Sequence, residues 1–292
     1  MASSRLQDYC APGLLRQRVM AHLLSKLLYW AMTANVGIVI SVLIPVALSD
    51  TALAEWYVAG YGGYSASGTL QNVTMPNYGQ TLAFQRYNFV PNNPQHDSLT
   101  QSFNTNDVSL KSTPLFGGKV GYFFSDQGFS WLGVEIEGFT STPSIKSQTL
   151  GTTQSITFIK GTPGTPPCFP PPVANCSMQE TINSQVTLTE SSVRLITGAF
   201  NVVVRYPGKV LQPYVGVGVG AFYFNSSGQI SGRQVVPGLN SQVGLKILVT
   251  EEWGLFLEGK YNYAQITNLD NAFGLSGDYS AFSALGGIAY HF

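Results

Sequence analysis

The feature of this 292-residue chain that most limits its fold is an alternation of apolar and polar residues with a period of two. It recurs over eight stretches and is unaccompanied by helical periodicity. A period of two puts successive side chains on opposite faces of a β-strand. The stretches lie near 55–66, 115–125, 129–140, 190–206, 209–224, 238–250, 252–266 and 278–292. In the seventh, Trp253, Leu255, Leu257, Gly259, Tyr261 and Tyr263 share one face, and Gly254, Phe256, Glu258, Lys260 and Asn262 share the other. In the third, Leu132, Val134 and Ile136 alternate with Glu135 and Glu137. The connections alternate too. Ser125–Gly128, Tyr206–Lys209 and Thr250–Glu252 are tight, whereas 67–114, 141–189, 225–237 and 267–277 are long. An even strand number with short turns at one end and long loops at the other is the plan of a transmembrane barrel.

Alternation alone does not say which face points inward. A soluble lipocalin-type barrel would turn the apolar face in, and a membrane barrel turns it out. Three observations favour the membrane. Only 10% of the chain is charged, against about 25% in a soluble domain, and the polar faces are too bare of charge for water. Aromatic residues crowd the strand ends (Trp56, Tyr57, Tyr64, Tyr122, Phe124, Phe222, Tyr223, Trp253 and Tyr263), as interfacial girdles require. The third observation is an export signal. Leu27–Ser49 holds no charge, follows Arg5, Arg16, Arg18 and Lys26, and precedes Thr51-Ala52-Leu53-Ala54. Basic segment, apolar segment and small-residue cleavage site read as a secretory signal cut after Ala54. The organisation expected is 1–54 signal peptide and 55–292 barrel; an uncleaved anchor is the alternative, opposed by Pro45 and the Ala-Leu-Ala run. A net charge of zero excludes a nucleic-acid binder, and the aromatic content excludes a disordered chain.

Glu55-Trp56-Tyr57-Val58-Ala59-Gly60-Tyr61-Gly62-Gly63-Tyr64-Ser65 resembles the first strand of small eight-stranded outer-membrane β-barrels, the OmpA-like transmembrane domain and opacity-type surface proteins. Leu211–Gly220 resembles their fifth strand and Trp253–Tyr261 their seventh. The ending Ile288-Ala289-Tyr290-His291-Phe292 is similar to their C-terminal assembly signal, carried by Ile288, Tyr290 and Phe292. The resemblance implies an all-β, eight-stranded antiparallel up-and-down barrel with long extracellular loops. It also implies the outer membrane of a Gram-negative-type bacterium, with the barrel-assembly machinery, outer-membrane lipid and lipopolysaccharide as partners. No peptidoglycan-binding domain follows, so a tethering role is not implied.

With the faces so assigned, Lys119, Glu135, Glu137, Asn201, Arg205, Lys246, Glu258, Lys260 and His291 point inward. Their near-balance suggests ion pairs, since unpaired buried charge is costly. Eight strands enclose a space that side chains just fill, so the expectation is a packed plug, with a narrow porin as the alternative. The Gly216, Gly218, Gly220 series leaves room for bulky inward neighbours; a nucleotide loop would need a helix after the strand. Cys168 and Cys176, an even pair in an exported chain, are expected to form a disulfide. His96, Asp97 and Ser98 make a weak constellation on a loop, and His291 belongs to the last strand. The reading therefore expects no enzyme, catalytic residue, metal or cofactor. The function expected is structural, or an interaction at the cell surface with a host or surface ligand through the long loops.

Overall fold

The computed structural model describes residues 55–66, 68–87, 97–160 and 176–292. The segment 1–54, with the cleavage site at Ala54, lies outside them, as do His96 and Cys168. The elements run β1 (Glu55–Ser65), β2 (Thr69–Thr74), α1 (Pro76–Tyr87), β3 (Asp97–Thr105), β4 (Val108–Ser109), β5 (Thr113–Phe124), β6 (Phe129–Ser141) and β7 (Ser144–Ile145). They continue with β8 (Gln148–Lys160), β9 (Cys176–Leu188), β10 (Ser191–Arg205), β11 (Leu211–Ser227), β12 (Gly232–Leu248), β13 (Trp253–Ile266) and β14 (Ser276–His291).

Eight of these strands close on themselves in the order β1-β5-β6-β10-β11-β12-β13-β14, with β14 pairing back onto β1. All the contacts are antiparallel. The register can be followed from Ala59 through Lys119, Glu137, Ala199, Gly220, Gly238 and Ala264 to Tyr279. It arrives ten residues along β14 from Ala289, the direct partner of Ala59. That stagger is the shear of the barrel, and it tilts the strands by roughly 35–45°. The lower end carries Glu55, Phe292 and the tight turns; one turn, Ser125–Gln127, ends on Gly128 with φ 79°.

Half of the wall continues beyond the barrel. Ser65 faces Thr113 in the β1–β5 pair, and farther up Thr69 faces Ser109 and Thr74 faces Asn104. Likewise Leu195 faces Ser141, Ser191 faces Ile145 and Leu188 faces Gln148. Thus β2 prolongs β1, β4 and β3 prolong β5, and β7 and β8 prolong β6 and return through β9 to β10. The ribbon β3-β8-β9 is barrel wall carried outward, with α1 against β3. Gly79 admits that contact, since a Cβ there would meet Gln101 and Phe103. Gln154 donates its amide to the Gly79 carbonyl at 2.6 Å.

Seven of the eight barrel strands match the alternating stretches to within about three residues, and the sixth, β12, begins six residues before the expected 238. The connections differ. The described parts of 67–114 and 141–189 are largely strand and helix rather than loop. The third long loop, 225–237, is also corrected: β11 runs to Ser227 and β12 begins at Gly232. Asn225, Ser226, Ser227 and Gly228 have turn composition, but the first three continue the wall. Only Gly228 does what its type suggests, at φ 119° with its Cα side against Ser191. Buried Ile230 then anchors the turn below.

Candidate functional site: the barrel lumen and its outer face

At the lower mouth the inward parity of β1 puts Glu55 opposite β10. Arg205 donates from both terminal nitrogens to the Glu55 carboxylate, with one contact of 2.8 Å. It also donates from Nε to the Ser130 carbonyl at 3.0 Å and from one terminal nitrogen to the Gln212 side-chain oxygen at 3.3 Å. The His291 ring pairs with Glu55, and its other nitrogen stands 3.2 Å from Lys246 Nζ. Lys246 also lies over the Tyr57 ring, 4.3 Å from its centre. Guanidinium and carboxylate meeting in two parallel bonds is the strongest geometry available to such a pair.

Above this lies a second set. Lys119 Nζ reaches Glu258 at 2.6 Å and Glu135 at 3.4 Å. Lys260 pairs with Glu137 and lies 3.4 Å from Glu258. Tyrosine hydroxyls complete the carboxylates: Tyr57 donates to Glu135 at 2.5 Å, Tyr61 to Glu137, and Tyr214 to Glu258 at 2.6 Å. Side-chain amides add more. Asn201 donates to Glu135 at 3.0 Å and Glu137 at 3.3 Å, Asn240 to Glu137 at 3.2 Å, and Gln242 to Glu135 at 3.1 Å. All these groups are buried. Inward glycines make room for the rings: a Cβ on Gly121 would collide with Tyr57, and one on Gly244 with Tyr214.

The upper lumen is apolar. Leu195, Phe222, Phe224 and Tyr279 are buried there, and Met75, Val108, Ile145, Leu188, Ile230 and Leu275 close over them from the prolonged wall and its connections. The lower lumen holds a cavity of about 10 Å³ among Tyr57, Lys119, Glu135, Arg205, Tyr214 and Lys246, room for about one water. Ionic side chains below and an apolar cap above leave the described lumen filled.

The structure thus brings Lys119, Glu135, Glu137, Glu258 and Lys260 into one cluster and Arg205, Lys246 and His291 into another. The sequence reading missed Glu55. Lys119, Arg205, Lys246 and Lys260 face only Glu135, Glu137 and Glu258 in that reading; Glu55 is the fourth carboxylate, and its parity with Ala59 is the signal for it. The same reading placed Tyr57 and Phe222 in the girdles. Both turn inward, because each has the parity of the polar face.

The outer face is apolar from Trp56, Val58 and Val120 round through Ile136, Phe200, Val219, Leu239, Val243, Leu257 and Ile288, with Leu257 72% exposed. Exposure of that extent is unsustainable in water and is what a bilayer covers. A lower aromatic girdle forms where Trp56 meets Tyr122 at 5.0 Å and Trp253 meets Tyr290 at 4.9 Å. The assembly-signal residues Ile288, Tyr290 and Phe292 stand on this outer side, Tyr290 touching Phe292 at 5.1 Å. Of the cysteines expected to pair, Cys176 opens β9 and Cys168 lies outside the described residues. The reading of His96 lies outside them as well.

No protein-family model and no curated protein sequence matches the chain. Among solved structures it is similar to the outer membrane protein OprG from Pseudomonas aeruginosa, at 12% identity and a TM-score of 0.40, covering 82% of this chain and 96% of that one. It is similar also to Neisserial surface protein A, at 10% identity and a TM-score of 0.37, covering 82% of this chain and 100% of that one. A third similar structure is the outer membrane protease OmpT from Escherichia coli, at 10% identity and a TM-score of 0.30, covering 84% of this chain and 99% of that one. This last likeness corrects the expectation of no enzyme. Barrels of the outer membrane include a protease, function resides in sites rather than folds, and the exclusion therefore does not stand. None of the three likenesses is close enough to carry a role. The chain's own closed sheet, apolar outer belt and charged interior make it a small eight-stranded transmembrane β-barrel of the outer-membrane type.

Proposed function

We propose that this barrel works by presenting its prolonged outer wall at the cell surface, in a structural or surface-interaction role, and that it does not conduct. The observation that carries the reading is the filled lumen: Arg205–Glu55 at the lower mouth, the Lys119–Glu258 and Lys260–Glu137 pairs above it, and the Phe222–Phe224–Tyr279 cap. Buried charges held this closely do not part without large cost, so no ion path opens beside them. Among the described residues, what remains available to partners is the ribbon β3-β8-β9 with α1. Its exterior is rich in Thr, Ser, Asn and Gln, as at Thr149, Thr153, Asn183 and Gln185. In this reading Ile288, Tyr290 and Phe292 serve recognition by the barrel-assembly machinery. Planar-bilayer recording of the folded chain is expected to give a silent membrane. A steady open level on the nanosiemens scale would overturn the proposal and establish the narrow porin instead.

A further inference from the structure

The registers place three polar residues side by side on the outer face of the barrel. Arg194 on β10 faces Asn225 on β11, and Asn225 faces Arg233 on β12. All three side chains are exposed. The row directly below is Ile196, Tyr223 and Val235, and two rows lower stand Phe200, Val219 and Leu239. The polar row is therefore the first above the apolar belt, on the side away from the tight turns. Strands lie about 4.8 Å apart, so the two arginine backbones are separated by roughly 10 Å with an amide between them. Neither arginine enters an ion pair among the described residues. Nearby carboxylates are engaged elsewhere. Glu190, four residues before Arg194, is held by Lys111 at 2.6 Å. Asp270, whose backbone adjoins Gly232, accepts from the backbone N–H groups of Phe273 and Leu275.

Two guanidiniums with no protein carboxylate, at the level where acyl chains give way to headgroups, are matched to an anion that stays at that level. We propose that Arg194 and Arg233, with Asn225 between them, bind the phosphate group of an outer-leaflet lipid headgroup. Arginine presents planar paired donors to phosphate oxygens, and the Asn225 amide supplies a further donor. The apolar rows beneath accept the acyl chains of the same molecule, which selects a lipid over a free anion. This site rests on the reading of the barrel as membrane-spanning.

The test uses the folded full barrel in detergent micelles, with bisphosphorylated lipid A, its dephosphorylated form and inorganic phosphate as probes. The unsubstituted chain is expected to retain the phosphorylated lipid, and R194A/R233A to retain it roughly tenfold less or weaker, the scale of losing charged hydrogen bonds. R194K/R233K, which keeps charge and loses the paired donors, is expected to fall between. Equal retention by the unsubstituted and alanine chains, or of both lipid forms, would overturn the site. Displacement by inorganic phosphate at the lipid's own concentration would overturn the lipid as its source. Folding is read separately, as heat-modifiable gel mobility. An unsubstituted chain without that mobility, before any lipid is added, would bring down the membrane reading itself and this site with it.

Discussion

In β10 the inward residues change from Arg205 and Asn201 at the lower end to Leu195 and Val193 at the upper, while the outward residues change from Val202 and Phe200 to Arg194 and Ser192. The same inversion runs through β11, where Tyr214 and Gly216 inside give way to Phe222 and Phe224, and Val217 and Val219 outside give way to Asn225 and Ser227. One strand thus carries two opposite patterns without a break in register. The difference follows from what surrounds it. Where lipid covers the wall, apolar atoms belong outside and the few charges must find one another within. Where water covers the wall, the ordinary rule returns and apolar side chains form a core. The level of inversion marks the membrane surface on the molecule.

The largest expected effect of breaking this contrast lies in the ionic half. Glu258 accepts from Lys119 and Tyr214 and lies beside Lys260. Glu258→Leu leaves those groups buried without their acceptor, and should cost about 3–5 kcal/mol. Urea unfolding in detergent would register it, with a gel band that loses its heat-modifiable shift at lower denaturant. An unchanged midpoint would mean the lower lumen is solvated rather than sealed.

A paired substitution tests the outer face. Leu257→Arg puts a charge on the lipid-facing belt and should destabilise by about 2–4 kcal/mol if that position sits near the bilayer middle. Thr149→Arg, on the exposed ribbon, should change stability by about 0.5 kcal/mol or less. Similar costs at the two positions would remove the inversion from the argument.

What the sequence made legible, and what it hid, follows the same boundary. Strands such as β13 were readable because lipid on one side and a packed interior on the other enforce a clean contrast, Leu255 and Leu257 against Glu258 and Lys260. Above the membrane both sides of the wall are mixed. In β8 the inward Leu150, Thr152, Gln154 and Ile156 alternate with Gly151, Thr153 and Ser155, and the contrast is too weak to distinguish strand from loop. In α1, Pro76 suits the first turn, but Gly79 lowers helix propensity and the aliphatic residues are few, so no 3.6-residue stripe emerges. The interior charges were legible by parity from a neighbouring residue. Glu55 is legible in the same way, through its parity with Tyr57 and Ala59, but it stands at the first position of its strand, where the alternation is easily taken to begin one residue later.

The apolar half responds to small changes of volume. Ile145, fully buried where β7 meets β10, packs into the cap. Ile145→Val should cost about 0.5–1.5 kcal/mol, seen as faster hydrogen exchange in β8 and β9 with the lower barrel strands unaffected. Exchange that rose equally in β5 and β13 would make cap and lumen a single cooperative unit, and the contrast between them one of composition alone.

The smallest effect belongs to the rim. Lys111 and Glu190 meet at 2.6 Å with about half of each side chain exposed, so water and salt screen the pair. Lys111→Ala should shift the unfolding midpoint by no more than about 1 kcal/mol, and less as salt is raised. The contrast with Lys119, an equally short contact at full burial, is what gives the measurement its use. Both lysines sit on the same length of chain, one where the wall meets water and one where it is enclosed. If replacing Lys111 cost as much as replacing a lumen lysine, the rim would have to be drier than its exposure indicates, and the level at which the wall inverts would move outward.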